Sequence, residues 1–139
     1  MPELRIHQVA TVAFGRVQAR ADEDKSWQKK YGAVAHKLPG MILQNGLAQA
    51  TGFLLAKGEP EHRAVLDDLT QVMRAAGVTT AVDRDALHQQ IIGADLQQTL
   101  RLTRQALEAS SWLKRYVQGL LRITATGDLG DESQNSTQQ

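Results

Sequence analysis

Apolar residues recur at intervals of three and four along almost the whole chain, and this periodicity limits its folds more than any composition figure does. Proline, which breaks helix interiors, is confined to positions 2, 39 and 60. Ile6, Val9, Ala10, Ala13, Val17 and Ala21 share one face of a helix expected over about 3–24. Asp22, Glu23 and Asp24 fall at its C-terminus, where the helix dipole disfavours negative charge, so the helix should break there. Ser26 can cap a second helix, which should stop near Lys37 because the residue before Pro39 is pushed out of the α region. Pro39 then enters the first turn of a third helix closed by Gly58, and Pro60 opens a fourth that ends at Gly77. Gly77 to Asp83 reads as a loop, since a lone strand at Val78 to Val82 has nothing to pair with. Asp83 caps a short fifth helix through Ile92, and Asp95 caps the longest, Leu96 to Thr124. The expected fold is all-α, a single-domain bundle of about six helices over residues 1–125 with a long C-terminal helix, then a disordered acidic and polar tail over 126–139.

Size and composition agree with this. At 139 residues and 42% hydrophobic content the chain can bury one core, and with two each of Trp, Tyr and Phe that core must be mostly aliphatic. The absence of cysteine excludes disulfide scaffolds, thiolate zinc sites and cysteine nucleophiles. No apolar run approaches the roughly 18 residues of a membrane span, and the N-terminus lacks a signal-peptide core, so a soluble cytoplasmic protein is expected. The formal net charge of +1 conceals blocks of −1 over 1–24, +5 over 25–58, −4 over 59–95, +4 over 96–125 and −3 beyond. Such blocks suit a basic surface facing a polyanion, oppositely charged faces pairing between subunits, or ordinary solvated helix surface.

On the last helix, Leu96, Leu100, Thr103, Leu107, Ser110, Val117 and Leu121 form an expected core seam, widened by Leu102, Ala106, Leu113 and Leu120. Arg101, Arg104, Glu108, Arg115 and Arg122 make a narrower stripe on its flank, with Trp112 beside it and Tyr116 one turn on. Guanidinium groups grip phosphates with paired hydrogen bonds and aromatic faces stack on unpaired bases, so this stripe is a candidate phosphate- and base-binding surface. The alternative is a solvated face with Trp112 buried against a neighbour. Lys29, Lys30 and Lys37, with Lys25 before them, form a second basic surface around Trp27 and Tyr31, a pair whose spacing also suits core anchoring. The third helix presents Ile42, Leu43, Leu47, Ala50, Phe53 and Leu54 on one face and Gln44, Asn45, Gln49, Thr51 and Gly52 on the other. Uncharged amides with glycine fit either a partner subunit or a central helix enclosed by its own domain.

Catalytic patterns are thin. His7, His36, His62 and His88 form no metal-ligand spacing, no Gly-rich phosphate loop or nucleophile elbow is present, and no catalytic residue, metal ligand or cofactor is assigned. The acid pairs Asp67 with Asp68, Asp83 with Asp85, and Glu59 with Glu61 read as helix caps and first-turn charges.

Leu38 to Gly58, LPGMILQNGLAQATGFLLAKG, resembles the signature of the small α-helical subunit of Cmr-type CRISPR RNA-targeting complexes (type III-B), the fifth Cmr protein. The matching elements are Leu38-Pro39, Gln44-Asn45-Gly46-Leu47, Phe53-Leu54 and Lys57-Gly58. Leu102-Thr103-Arg104-Gln105-Ala106-Leu107 with Trp112-Leu113-Lys114-Arg115 is similar to that family's LTxEAL…WLKRF ending, with Gln105 for the usual Glu and Tyr116 for the usual Phe. The resemblance spans about residues 5–124. It implies a non-catalytic subunit whose copies stack in a short filament beside the crRNA-bearing backbone subunit and line the target-RNA channel. On that reading Lys29, Lys30, Lys37, Arg101, Arg104, Lys114, Arg115 and Arg122 face RNA, while Gln44, Asn45 and Gln49 meet another subunit. A helical protein–protein adaptor that never touches nucleic acid is the alternative.

Overall fold

The structure, a computed structural model, describes residues 4–124. The tail expected over 126–139 lies outside the described residues. Six helices follow in order: α1 Arg5–Arg20, α2 Lys25–Asn45, α3 Leu47–Lys57, α4 Pro60–Ala75, α5 Arg84–Ile92 and α6 Leu96–Tyr116. A π-helical turn, Val117–Leu121, extends the last of them. α1, α2, α4 and α6 pack on one another, with α3 and α5 on one side. Tyr31, Leu38, Ile42, Leu54, Leu66, Leu69, Met73 and Leu113 are among the side chains fully enclosed between them.

The α1–α2 break falls where the acidic trio places it, but Asp24 and not Ser26 caps α2, accepting from the Trp27 amide at 2.7 Å. Gln28 reinforces that corner by donating to the carbonyls of Ala21 and Glu23, at 3.2 and 2.7 Å. Gly58 and Gly77 end α3 and α4 in the left-handed region, and Asp83 and Asp95 cap α5 and α6 as expected.

Two helix ends fall elsewhere than expected. The helix does not stop before Pro39; α2 runs through it to Asn45, and the break comes at Gly46. A mid-helix proline costs about 3 kcal/mol. Burying Leu38 and Ile42 on either side, at about 1.5–3 kcal/mol each, offsets that cost. Gly46, at φ 89° and ψ 158°, occupies a region essentially closed to other residues, so the turn belongs to the glycine inside QNGL. Secondly, the long helix does not reach Thr124. It passes into the π turn, Arg122 turns left-handed, and the chain reverses to drive Ile123 onto Gly32 of α2. The carbonyl of Ile123 lies 2.8 Å from His36 Nε2, which locks that reversal.

The buried stripe of α6 is also rotated from its expected position. Leu102, Ala106, Ala109, Leu113 and Val117 are its centre, whereas Leu96 and Leu100 are 75% and 59% exposed. Leu107 and Thr103 are half-buried. Leu102 and Leu113 share that stripe with Ala106 and Ala109, so burial follows the face of α6 that meets α1, α2 and α4 and not the one through Leu96 and Leu100.

Candidate nucleic-acid interface

The arginines divide into two populations. Arg16 and Arg20 of α1 point inward at Asp68 in the middle of α4, whose carboxylate is fully buried. Arg16 Nε donates at 2.7 Å, Arg20 donates through Nε and Nη2 at 3.1 and 2.8 Å, and the Tyr31 hydroxyl donates at 2.5 Å. Four donated hydrogen bonds make a buried carboxylate tolerable. Burial, and then the adjacent Asp68 charge, push the Tyr31 phenol well above its usual range. Burial works against the Arg20 charge, but Asp68 outweighs it and holds the guanidinium above its ordinary value. Sequence reading missed this network by treating Asp67 and Asp68 as helix-start charges; Asp67 instead pairs with Arg84 at 3.0 Å. Trp27 stacks on Tyr31 with ring centroids 5.3 Å apart, and Arg20 lies over both rings, so this pair anchors the core.

The cations assigned to RNA are the other population. Lys30, Lys37, Arg101, Arg104, Arg115 and Arg122 are exposed, and Lys29 and Lys114 are half-buried. Among the described residues, Lys29, Lys30, Lys37, Arg101, Arg104, Lys114 and Arg115 make no ion pair. Lys114 and Arg115 line a hollow of about 300 Å³ with Ser111 and Gln118, walled by Pro39 of α2. Lys37 stands two residues before that wall. Arg104 and Arg101 continue the Arg115 stripe about 16 and 21 Å back along α6 at 1.5 Å per residue. Arg122 is off the helix, so the expected stripe ends at Arg115. The structure brings neither Lys29 nor Lys30 into the hollow.

Trp112 is half-buried. It stacks on Tyr116 at 5.6 Å, Tyr116 meets Phe14 edge-on at 5.4 Å, and the Arg115 guanidinium lies 5.6 Å from the Trp112 ring. Trp112 therefore packs on the bundle and also steadies Arg115.

The amide face of the third expected helix is split at Gly46. Thr51 is fully buried, its hydroxyl 2.7 Å from His88 Nδ1, and the His88 ring also approaches Gly52. Enclosure by its own domain holds for Thr51, which α5 covers, and in part for the half-buried Gly52. Gln44, Asn45 and Gln49 are exposed, lining a hollow of about 550 Å³ with Met41 and Phe53 at the α2–α3 corner. Leu43 and Phe53, expected in the apolar core face, are exposed.

The four histidines serve separate places: His7 is exposed, His36 meets Ile123, His62 faces Phe53 edge-on, and His88 meets Thr51. Among the described residues no group of three or more His, Cys, Asp and Glu is placed to hold a metal ion, and no helix is long and apolar enough to cross a membrane.

Fold and surface together define a small all-α bundle that keeps one set of arginines for its interior and offers another on a helix flank. The chain belongs to the Cmr5 family: the family described as CRISPR-associated protein (Cas_Cmr5) matches residues 5–120. A CRISPR system Cmr subunit Cmr5 of Thermus thermophilus is 38% identical over 92 residues, 66% of this chain and 75% of that protein. The crystal structure of a CRISPR-associated Cmr5 family protein from the same organism matches with a TM-score of 0.76 at 33% identity, covering 86% of this chain and 99% of that one. The motif resemblance and the all-α expectation are thereby borne out.

Proposed function

We propose that this protein is the non-catalytic small subunit of a type III-B Cmr ribonucleoprotein in the cytoplasm. In this reading it binds the backbone subunit and copies of itself and lines the channel of the crRNA-paired target RNA. The observation that carries the RNA contact is that Arg101, Arg104, Lys114 and Arg115 are held on one helix without ion-pair partners among the described residues, while Arg16 and Arg20 satisfy the buried acid. Backbone contact without base reading suits a complex in which guide pairing supplies the sequence information. Stacking of copies draws on the alternating charge blocks, and on the exposed Gln44, Asn45 and Gln49 corner as a subunit contact.

Arg104→Glu with Arg115→Glu should lower target-RNA retention by the assembled complex while leaving the circular-dichroism melt of the subunit unchanged. Removing one phosphate contact should soften the salt slope of binding by about 0.7 for a single strand. Unchanged retention removes the RNA-contact part. The exposed amide corner favours the adaptor reading as second choice: there Asn45→Leu or Gln49→Leu abolishes assembly and the arginine reversals change nothing.

A further inference from the structure

Beside the hollow of Lys114 and Arg115 lies another, of about 210 Å³, lined by Ile6 of α1 and by Glu108, Ser111, Trp112 and Arg115 of α6. Ser111 and Arg115 belong to both walls, so the two hollows adjoin. Residues 108, 111, 112 and 115 are spaced i, i+3, i+4 and i+7, which puts them on one helix face. The first hollow is cationic, but the second carries an acid. Glu108 is the lone acid in the +4 block over 96–125. Among the described residues it makes no ion pair, although Arg104 precedes it by one turn.

An unpaired carboxylate on a face turned to a polyanion weakens the attraction unless it meets a hydrogen donor. Phosphate oxygens only accept, whereas the ribose 2′-hydroxyl donates and is the group that separates RNA from DNA. We propose that the hollow of Glu108, Ser111 and Trp112 seats a ribose whose phosphate lies beside Lys114 and Arg115, with the Glu108 carboxylate accepting from the 2′-hydroxyl. This rests on the RNA-contact reading and deepens it: the flank selects RNA over DNA without reading a base. The volume equals about seven waters, the scale of one sugar. The Ser111 hydroxyl supplies a donor for a sugar oxygen, and the apolar side is formed by Trp112 and Ile6. Arg115, held over the Trp112 ring, stands on the shared wall where a 5′- or 3′-phosphate leaves the sugar.

The test compares binding of the full-length protein to a single strand of about twelve nucleotides. One sequence is made as RNA, as DNA and as 2′-O-methyl RNA, which keeps the RNA sugar pucker but removes the donor. RNA should bind about fivefold more tightly than either analogue, the scale of one ordinary net hydrogen bond. Glu108→Ala should tighten the DNA and the 2′-O-methyl strand, for which the carboxylate is only repulsive, and bring the ratio of RNA to either of them to about one. Glu108→Gln, which keeps an acceptor, should retain part of the preference. A wild-type ratio near one, or a ratio that survives Glu108→Ala, overturns the ribose site while leaving the RNA-contact reading intact. Failure of all three strands to bind, with the fold verified, sinks both.

Discussion

Gly32 offers a sharp test because local propensity and tertiary packing predict opposite signs. It lies inside α2, where replacing glycine by alanine should stabilise a helix by about 1 kcal/mol. A Cβ built there would stand 2.4 Å from Ile123 Cγ2 and 2.7 Å from Ile123 Cβ. Neither is the far end of a flexible chain, so Ile123 must move as a whole. Expelling it forfeits about 1.5–3 kcal/mol of burial and the His36 hydrogen bond to its carbonyl, about 1 kcal/mol. Set against the propensity gain, Gly32→Ala should destabilise by about 1.5–3 kcal/mol. Gly15 in α1, where an added Cβ would meet nothing within 4 Å, is the control, and Gly15→Ala should stabilise by about 1 kcal/mol. Urea unfolding of the two variants reads both signs. In an Ile123→Gly background, which removes Cβ as well as the atoms beyond it, the Gly32→Ala penalty should largely vanish, since the partners are in direct contact. If Gly32→Ala stabilises like Gly15→Ala, the reversal after the π turn is not packed on α2 and the argument fails.

Other consequences follow from the interior. Asp68→Asn leaves Arg16 and Arg20 without their anion; because both guanidinium groups keep some access to water, the loss should sit at the low end for a broken buried pair, about 3 kcal/mol by urea unfolding. The raised Tyr31 phenol means that the folded chain keeps a proton which the unfolded chain releases. Its stabilisation is therefore complete below the ordinary tyrosine value of about 10 and declines above it by about 1.4 kcal/mol per pH unit, a slope that Tyr31→Phe should remove in an alkaline stability series. Gly46→Ala places a side chain at φ 89° and should cost about 1–3 kcal/mol, visible as a lowered midpoint in thermal melts.

Much of the fold was legible in one dimension. Six helices, the acidic break after α1 and the caps at Asp83 and Asp95 follow from interactions within a few residues, which sequence displays directly. The motif stretches from Leu38 to Gly58 and from Leu102 to Arg115 pointed to the family for the same reason: each is a run of neighbouring residues, visible without knowing how the helices pack. The exposure of the α6 cations also agreed with the stripe that helical spacing drew, as far as Arg115.

What the tertiary structure alone decided concerns choices between locally equivalent groups. Nothing local separates Arg16 and Arg20 from Arg101 and Arg104, yet α4 sets a buried carboxylate opposite the first pair and leaves the second facing water. Periodicity identified an apolar stripe on α6, but which part of it is covered depends on where α1, α2 and α4 meet that helix, and they cover Leu102, Ala106, Ala109 and Leu113 while leaving Leu96 and Leu100 outside. Pro39 remains helical, and Ile123 turns back onto Gly32, because contacts between segments distant in sequence outweigh preferences acting within one turn. Helix formation is a near-neighbour matter and can be read from the chain. Burial and charge pairing arise only once separate helices meet.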